Sequence, residues 1–317
     1  MKYLKIFLAI SFMAIALTGC RNDDLDPNSI FDTTSPERNE FDEWLLENYT
    51  KPYNINVIYR YIDRETSAGY NVIPAEESKA RTFAILTRYM WLEAYKQALG
   101  EDFLKTNSPR VLQFIGSPQP NGTDGTWTVG YAQGGLKMTL CGVNNIDPDN
   151  IKIDTESIFQ GGFDPTGATA NDLNKFFHTM HHEFCHILTQ KKNYPTDFNT
   201  VSAGTYIPSD WHNKSDADMV PEGFVTAYAS METNEDFAES YSYYVTHSQT
   251  SWEALLTRAK DGATKITQKM DIVKQYFHDS WDLDLDTLRS IVLSRADDIR
   301  QGKVDIKNLD TNKEGAR

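Results

Sequence analysis

His182, Glu183 and His186 sit in the run His182-Glu183-Phe184-Cys185-His186, the HExxH pattern. On a helix, side chains four apart share a face, so both imidazoles can converge on one zinc ion. Glu183 lies one step round, placed to take a proton from a water that the metal activates. The pattern is short enough to arise by chance, so a third ligand decides its meaning. The longer form, HExxHxxGxxH, fails because Thr189 and Lys192 stand where its glycine and third histidine belong. Glu235 and Glu239 offer another solution: an acid ligand on a second helix, and a second acid one turn later that holds a ligand histidine through its other ring nitrogen. Alone, such a pair reads as a solvated helix face. Beside His182 and His186 it completes a His–His–Glu zinc set, with Asp236 the first substitute if Glu235 is not the ligand.

Two helices must present these groups. Leu173, Phe176, Phe177, Met180, Phe184, Ile187 and Leu188 recur at helical spacing, a buried stripe from which both histidines fall away. Asn171 is the expected N-cap. The second helix is expected to begin beyond the turn-like Glu232-Thr233-Asn234 and to end at Gly262. Upstream, 41–46 reads as a short helix closed by Pro52, and Pro74 opens a long helix to about Leu99. Strands are expected at 55–61, 110–115, 127–131 and 136–143. The last precedes the metal-site helix, which makes it the candidate edge for pairing with an extended substrate; an ordinary core strand is the alternative. Residues 191–222 read as a long irregular loop. In it Tyr206, Trp211 and His212 either line the cleft or simply pack. His247 and His278 have no partners at ligand spacing and read as structural. Two amphipathic helices, 265–277 and 284–300, close the chain. The class is α+β: a small N-terminal sheet, the HExxH helix beneath it, and a helical C-terminal half.

The stretch from Gly223 to Glu239, with Tyr228, then Glu235, then Ala238-Glu239, taken together with HEFCH, resembles the gluzincin metallopeptidases. More narrowly, it is similar to the zinc-binding metallopeptidase lipoproteins, a zinc metallohydrolase family associated with substrate-import systems of Gram-negative bacteria. The order of Tyr, Glu and Ala-Glu also resembles the catalytic domain of anthrax lethal factor. The resemblance implies a zincin-like fold in which His182, His186 and Glu235 bind zinc and Glu183 is the base. It further implies that Glu239 supports a ligand and that Tyr228 assists catalysis. Peptide or protein would be the substrate, and a nutrient-import complex a partner. Two other readings stay open: a zinc amidohydrolase acting on non-peptide material, and an inert surface binding module that keeps the site as a relic.

The remaining composition bounds the setting. Residues 1–19 carry Lys2 and Lys5, an apolar run from Ile6 to Leu17, and Leu17-Thr18-Gly19-Cys20, which resembles a bacterial lipobox. The expectation is a lipoprotein signal peptide, with Cys20 lipidated and membrane-anchored, and an outer-membrane location with surface display, a periplasm-facing orientation being the alternative. Residues 20–36 read as a flexible tether and 37–317 as a single catalytic domain. Against 31 Lys and Arg stand 45 Asp and Glu, a net charge of −14, which argues against nucleic acid as a partner. Beyond Cys20 only Cys141 and Cys185 remain, too few for a disulfide framework, and Cys185 is expected to pack as a small apolar group.

Overall fold

The computed structural model describes residues 37–62, 71–121, 126–158 and 171–310. The signal peptide, Cys20 and the tether expected over 20–36 lie outside the described residues. The first helix, α1 (Glu40–Leu45), opens on a reciprocal cap between Asn39 and Asp42. Its path continues through a π turn (Leu46–Thr50) and a closing turn (Lys51–Tyr53). Pro52 therefore lies inside the closing turn, one residue before its last; Asn54 stops the helix in the left-handed region at φ 56°.

Strand β1 (Asn56–Ile58) is shorter than the run 55–61 suggested. Pro74 does not open the next helix. It bridges to Ile115 and its carbonyl accepts from Asn144 Nδ2, which keeps the chain extended until α2 (Glu77–Thr87) starts. A π turn (Arg88–Leu92) carries α2 into α3 (Glu93–Leu99), and α4 (Glu101–Asn107) follows. The remaining strands are β2 (Val111–Ile115), β3 (Gln119–Asn121), β4 (Thr126–Thr128), β5 (Gly130–Gln133) and β6 (Lys137–Cys141). The run 127–131 is thus two strands, parted at Val129: β4 pairs with β3 in a separate hairpin, β5 with β6.

The main sheet has the order β1–β2–β6–β5, with β1, β2 and β6 parallel and β5 antiparallel. This corrects the expected edge. The strand within 136–143 lies inside the sheet, between β2 and β5, and β5 is the edge. The residues account for it. Met138, Thr139, Leu140 and Cys141 are all buried, as an interior strand covered on both faces requires, whereas Gly130 to Ala132 are only partly covered and Gln133 is exposed.

Helix α5 (Leu173–Lys191) runs beneath the sheet. Its cap is Asp172, which accepts from the Asn174 amide, and not Asn171. The Asn171 side chain is engaged elsewhere, accepting from Asp147 N and donating to Asn150 O, so that it pins the preceding loop. The predicted apolar stripe is buried along its length. Phe176 meets Phe83 at 5.0 Å, and Phe184 meets Trp91 edge-on at 5.3 Å, which locks α5 against the segment from α2 to α3.

The helix carrying Glu235, α6 (Thr233–Thr246), begins within the supposed turn and ends sixteen residues before Gly262. His247 leaves the helical path, its ring stacked 4.0 Å from Tyr243, and the Ser248 side chain caps a new helix, α7 (Gln249–Ala259). Helices α8 (Ala263–Trp281) and α9 (Leu285–Arg300) complete the helical half, matching the two expected at the C-terminal end. Residues 191–222 are less irregular than they read, since Phe198–Val201 and Asp216–Met219 each form a helical turn. Cys141 and Cys185 are buried and free, with no bridge between them. No helix among the described residues is long and apolar enough to cross a membrane.

Candidate metal centre

Helix α5 supplies His182 and His186, and α6 packs across it with Glu235 near its start. His182 Nε2 lies 3.0 Å from His186 Nε2 and 2.9 Å from Glu235 Oε2, and His186 Nε2 lies 3.3 Å from that same oxygen. Three donors held about 2.0–2.1 Å from one tetrahedral zinc stand about 3.3 Å apart, so the spacing fits the ion. The chemistry fits as well. His182 Nδ1 faces Glu239 Oε1 at 2.8 Å, so this nitrogen carries the hydrogen and Nε2 is left to face the Glu235 carboxylate. A lone pair facing a carboxylate demands positive charge between them, whether a proton or a divalent cation. The protonation tendencies express the same demand. Burial works against a charged His182, but Glu235 and Glu239 outweigh it and lift its pKa well above the ordinary value. Burial likewise opposes ionisation of Glu235, and the two imidazoles outweigh it and hold its carboxyl far below the usual range.

Glu183 lies beside this set without joining it. Its Oε2 accepts a 2.7 Å hydrogen bond from the Ala132 amide of β5. The strand register explains why that amide is available. Cys141 N donates to Val129 O across the pair, so by alternation Gly130 and Ala132 point their amides and carbonyls away from β6. β5 reaches the helix because residue 130 is glycine. A Cβ there would stand 2.7 Å from Thr179 Cγ2. His186, Glu183 and Glu235 are partly exposed, so solvent reaches the set, while His182 is buried.

Tyr228 lies on a single 3₁₀ turn (Tyr228–Ser230). Its ring stands 5.7 Å from that of His182, and its hydroxyl lies within the influence of the Glu235 carboxylate. Burial first, and then the Glu235 charge, push the pKa of this phenol well above its ordinary value. Trp211 packs edge-on against Tyr228 at 4.9 Å and so borders the site, with His212 beside it. Tyr206 is a packing residue: its ring meets Phe224 and its hydroxyl donates to Asp236. Asp236 is no substitute ligand. It is fully buried on another face of α6 and paired with Lys269 at 2.5 Å. Burial lifts its pKa to about 6 despite that cation.

Glu239 has more partners than the sequence suggested. Besides His182, its Oε1 meets His178 Nε2 at 2.8 Å, and its Oε2 accepts from Thr226 Oγ1 at 2.6 Å. His178 lies one turn before His182 on the same helix, a spacing visible in the sequence. Nothing in the sequence marked Thr226 or the Ala132 amide, because a backbone group or a loop hydroxyl has no motif of its own.

A family described as "Putative zinc-binding metallo-peptidase" matches residues 34–286 of the chain. A solved structure of the same description, from Bacteroides caccae ATCC 43185, is 38% identical. It aligns over 89% of this chain and 100% of its own, with a TM-score of 0.68. No curated protein matches. With four-fifths of its length inside the family and a His–His–Glu donor set of the right size and chemistry, the chain belongs to these zinc-binding metallopeptidases, and zinc is its cofactor.

Proposed function

We propose that this protein is a gluzincin-type peptidase of zincin-like fold that cleaves peptide bonds with water. In this reading His182, His186 and Glu235 hold zinc. The observation that carries it is the convergence of those three donors beside a carboxylate, Glu183, that is held off the metal set by the Ala132 amide. When bound, zinc supplies Lewis acidity, lowering the pKa of a water to about 7 and polarising the scissile carbonyl. Glu183 accepts the proton from the attacking water and delivers it to the departing nitrogen, so that water and amide become acid and amine. The Ala132 hydrogen bond occupies Oε2 and aims the carboxylate, leaving Oε1 for this transfer. Tyr228, kept protonated by burial, donates toward the oxygen on which negative charge develops. Glu239 holds the His182 Nδ1 hydrogen and so keeps Nε2 turned to the metal.

The substrate, a peptide or protein, lies extended along β5, whose outward Gly130 and Ala132 carbonyls accept from its backbone. The enzyme is carried as a lipoprotein through Cys20, on the outer face of the outer membrane, where its products can feed an import complex. A relic site has no use for Glu183 held ready on a strand edge, which favours an enzyme over an inert binding module.

The test is zinc-loaded protein on a mixed peptide library. Cleavage that a zinc chelator abolishes and added zinc restores is the expected result. An inert zinc-loaded protein would overturn the reading, and cleavage by Glu235→Ala at wild-type zinc content would overturn the ligand assignment.

A further inference from the structure

Glu239 is the hinge of a network that reaches beyond the three proposed ligands. Its two oxygens take hydrogen bonds from three residues on two elements: His182 and His178 on α5, and Thr226 in the segment leading to the Tyr228 turn. Thr226 Oγ1 also accepts from the Ala229 amide at 3.1 Å, inside that turn. We propose that His178 and Thr226 are positioning residues that act through Glu239, His178 by fixing where the carboxylate presents Oε1 to His182, and Thr226 by tying Oε2 to the turn that carries Tyr228. The proposal rests on the reading of His182 as a zinc ligand.

The hydrogens can be placed. Ser242 Oγ donates to Ala238 O at 2.8 Å, so toward His178 Nε2, 3.1 Å away, it has only a lone pair to offer. Nε2 of His178 therefore carries a hydrogen and shares it between Ser242 and Glu239. With His182 Nδ1 donating to the same Oε1, the carboxylate is fully committed and cannot rotate without losing several bonds at once. A carboxylate free to rotate would let the His182 ring turn with it, and ligand basicity and orientation would both suffer.

His178 Nε2, His182 Nδ1 and Glu239 Oε1 also lie within 4.8 Å of one another, close enough to suggest a second metal site. The geometry argues against it. Each ring nitrogen is 2.8 Å from Oε1 itself, so the carboxylate oxygen bridges the two rings where a metal would have to be. Metal binding there would also require a lone pair on His178 Nε2, which Ser242 and Glu239 both oppose.

The test measures zinc affinity by competition with a chromogenic chelator on the full-length protein. His178→Phe keeps a ring and removes the donor. Thr226→Val keeps the shape and removes the hydroxyl. Each should weaken zinc binding by about tenfold to a hundredfold, the range for partners that support a ligand. His178→Gln should restore most of the affinity, since its amide nitrogen lies as many bonds from Cα as Nε2 does. In a Glu239→Ala background, His178→Phe should add almost nothing, because its route of action is gone.

Wild-type zinc affinity in His178→Phe and Thr226→Val would overturn the proposal alone. So would a loss that His178→Gln fails to rescue, which would mark a packing role. A wild-type content near two zinc ions, falling to one in His178→Phe, would replace the clamp with a second metal. A wild-type protein that binds no zinc would overturn the ligand reading and this proposal together. Should His178→Phe fail to fold, Thr226→Val and His178→Gln still decide it.

Discussion

A histidine whose two nitrogens face two different carboxylates has its tautomer chosen for it, and His182 is in that position. Glu239 takes the Nδ1 hydrogen, so Nε2 is directed to the point shared with His186 and Glu235. Glu183, adjacent in sequence, is held apart from that point by a single backbone amide, that of Ala132. Glu183→Gln keeps an oxygen for Ala132 N–H but cannot accept a proton. It should retain zinc and melting temperature while kcat falls at least about a hundredfold, the lower end for acid–base catalysis. Metal analysis and steady-state kinetics on a cleaved peptide check this, and an active Glu183→Gln enzyme would remove the proposed base. Tyr228→Phe deletes one hydroxyl near Glu235 and leaves the ring against His182 and Trp211. Losing an oxyanion donor costs about 2.7–4 kcal/mol, so kcat should drop roughly a hundredfold with zinc content unchanged. Unchanged kcat would leave Tyr228 as a packing residue.

At the scale of elements, the decisive contact is β5 on α5. The edge strand reaches Glu183 only because Gly130 presents no Cβ to Thr179, and its register turns the Ala132 amide outward. Gly130→Ala should force β5 away from the helix and pull Ala132 N from Glu183. Displacements of this size cost up to about a hundredfold, so kcat/KM should fall by about tenfold or more while zinc stays bound. Thr179→Ala in the same chain removes the clashing methyl and should recover much of the loss. Equal kcat/KM in Gly130→Ala and wild type would detach β5 from catalysis.

Across the whole molecule, the proposed metal donors join two elements distant in sequence, α5 and α6, so zinc held by them should act as a structural tie as well as a catalyst. A ligand at a hundred times its dissociation constant stabilises the folded state by about 2.7 kcal/mol. For a domain of this size that corresponds to roughly 5–10 °C in Tm. Calorimetry with and without a chelator measures it, and an unchanged Tm on complete zinc removal would contradict a site built across α5 and α6. Anchoring belongs to this scale too. Cys20→Ser should release the protein from cell membranes into the soluble fraction, since a multiply acylated cysteine is the only strong attachment that the sequence suggests. Fractionation decides it, and a variant that stays with the membrane would point to an uncleaved N-terminal helix.

What the sequence determined by itself is local. Four-residue spacing puts His182 and His186 on one helical face and Glu235 and Glu239 on another, and periodic apolar residues bury the opposite side of α5; these follow from helix geometry alone. Helix ends were less legible. Asp172 displaced Asn171 as the cap because Asn171 binds a loop 21 to 24 residues away, and α6 stopped at Thr246 because Ser248 caps a new helix. Only the tertiary structure decided which strand is the edge. Strand order depends on which chains pair, and the local pattern of 136–143 fits an edge or an interior strand until β2 and β5 close on both sides. Only the tertiary structure brought Ala132 N, Thr226 and His178 to the carboxylates they hold, because a hydrogen bond between residues 13 to 61 positions apart leaves no periodic trace in the chain.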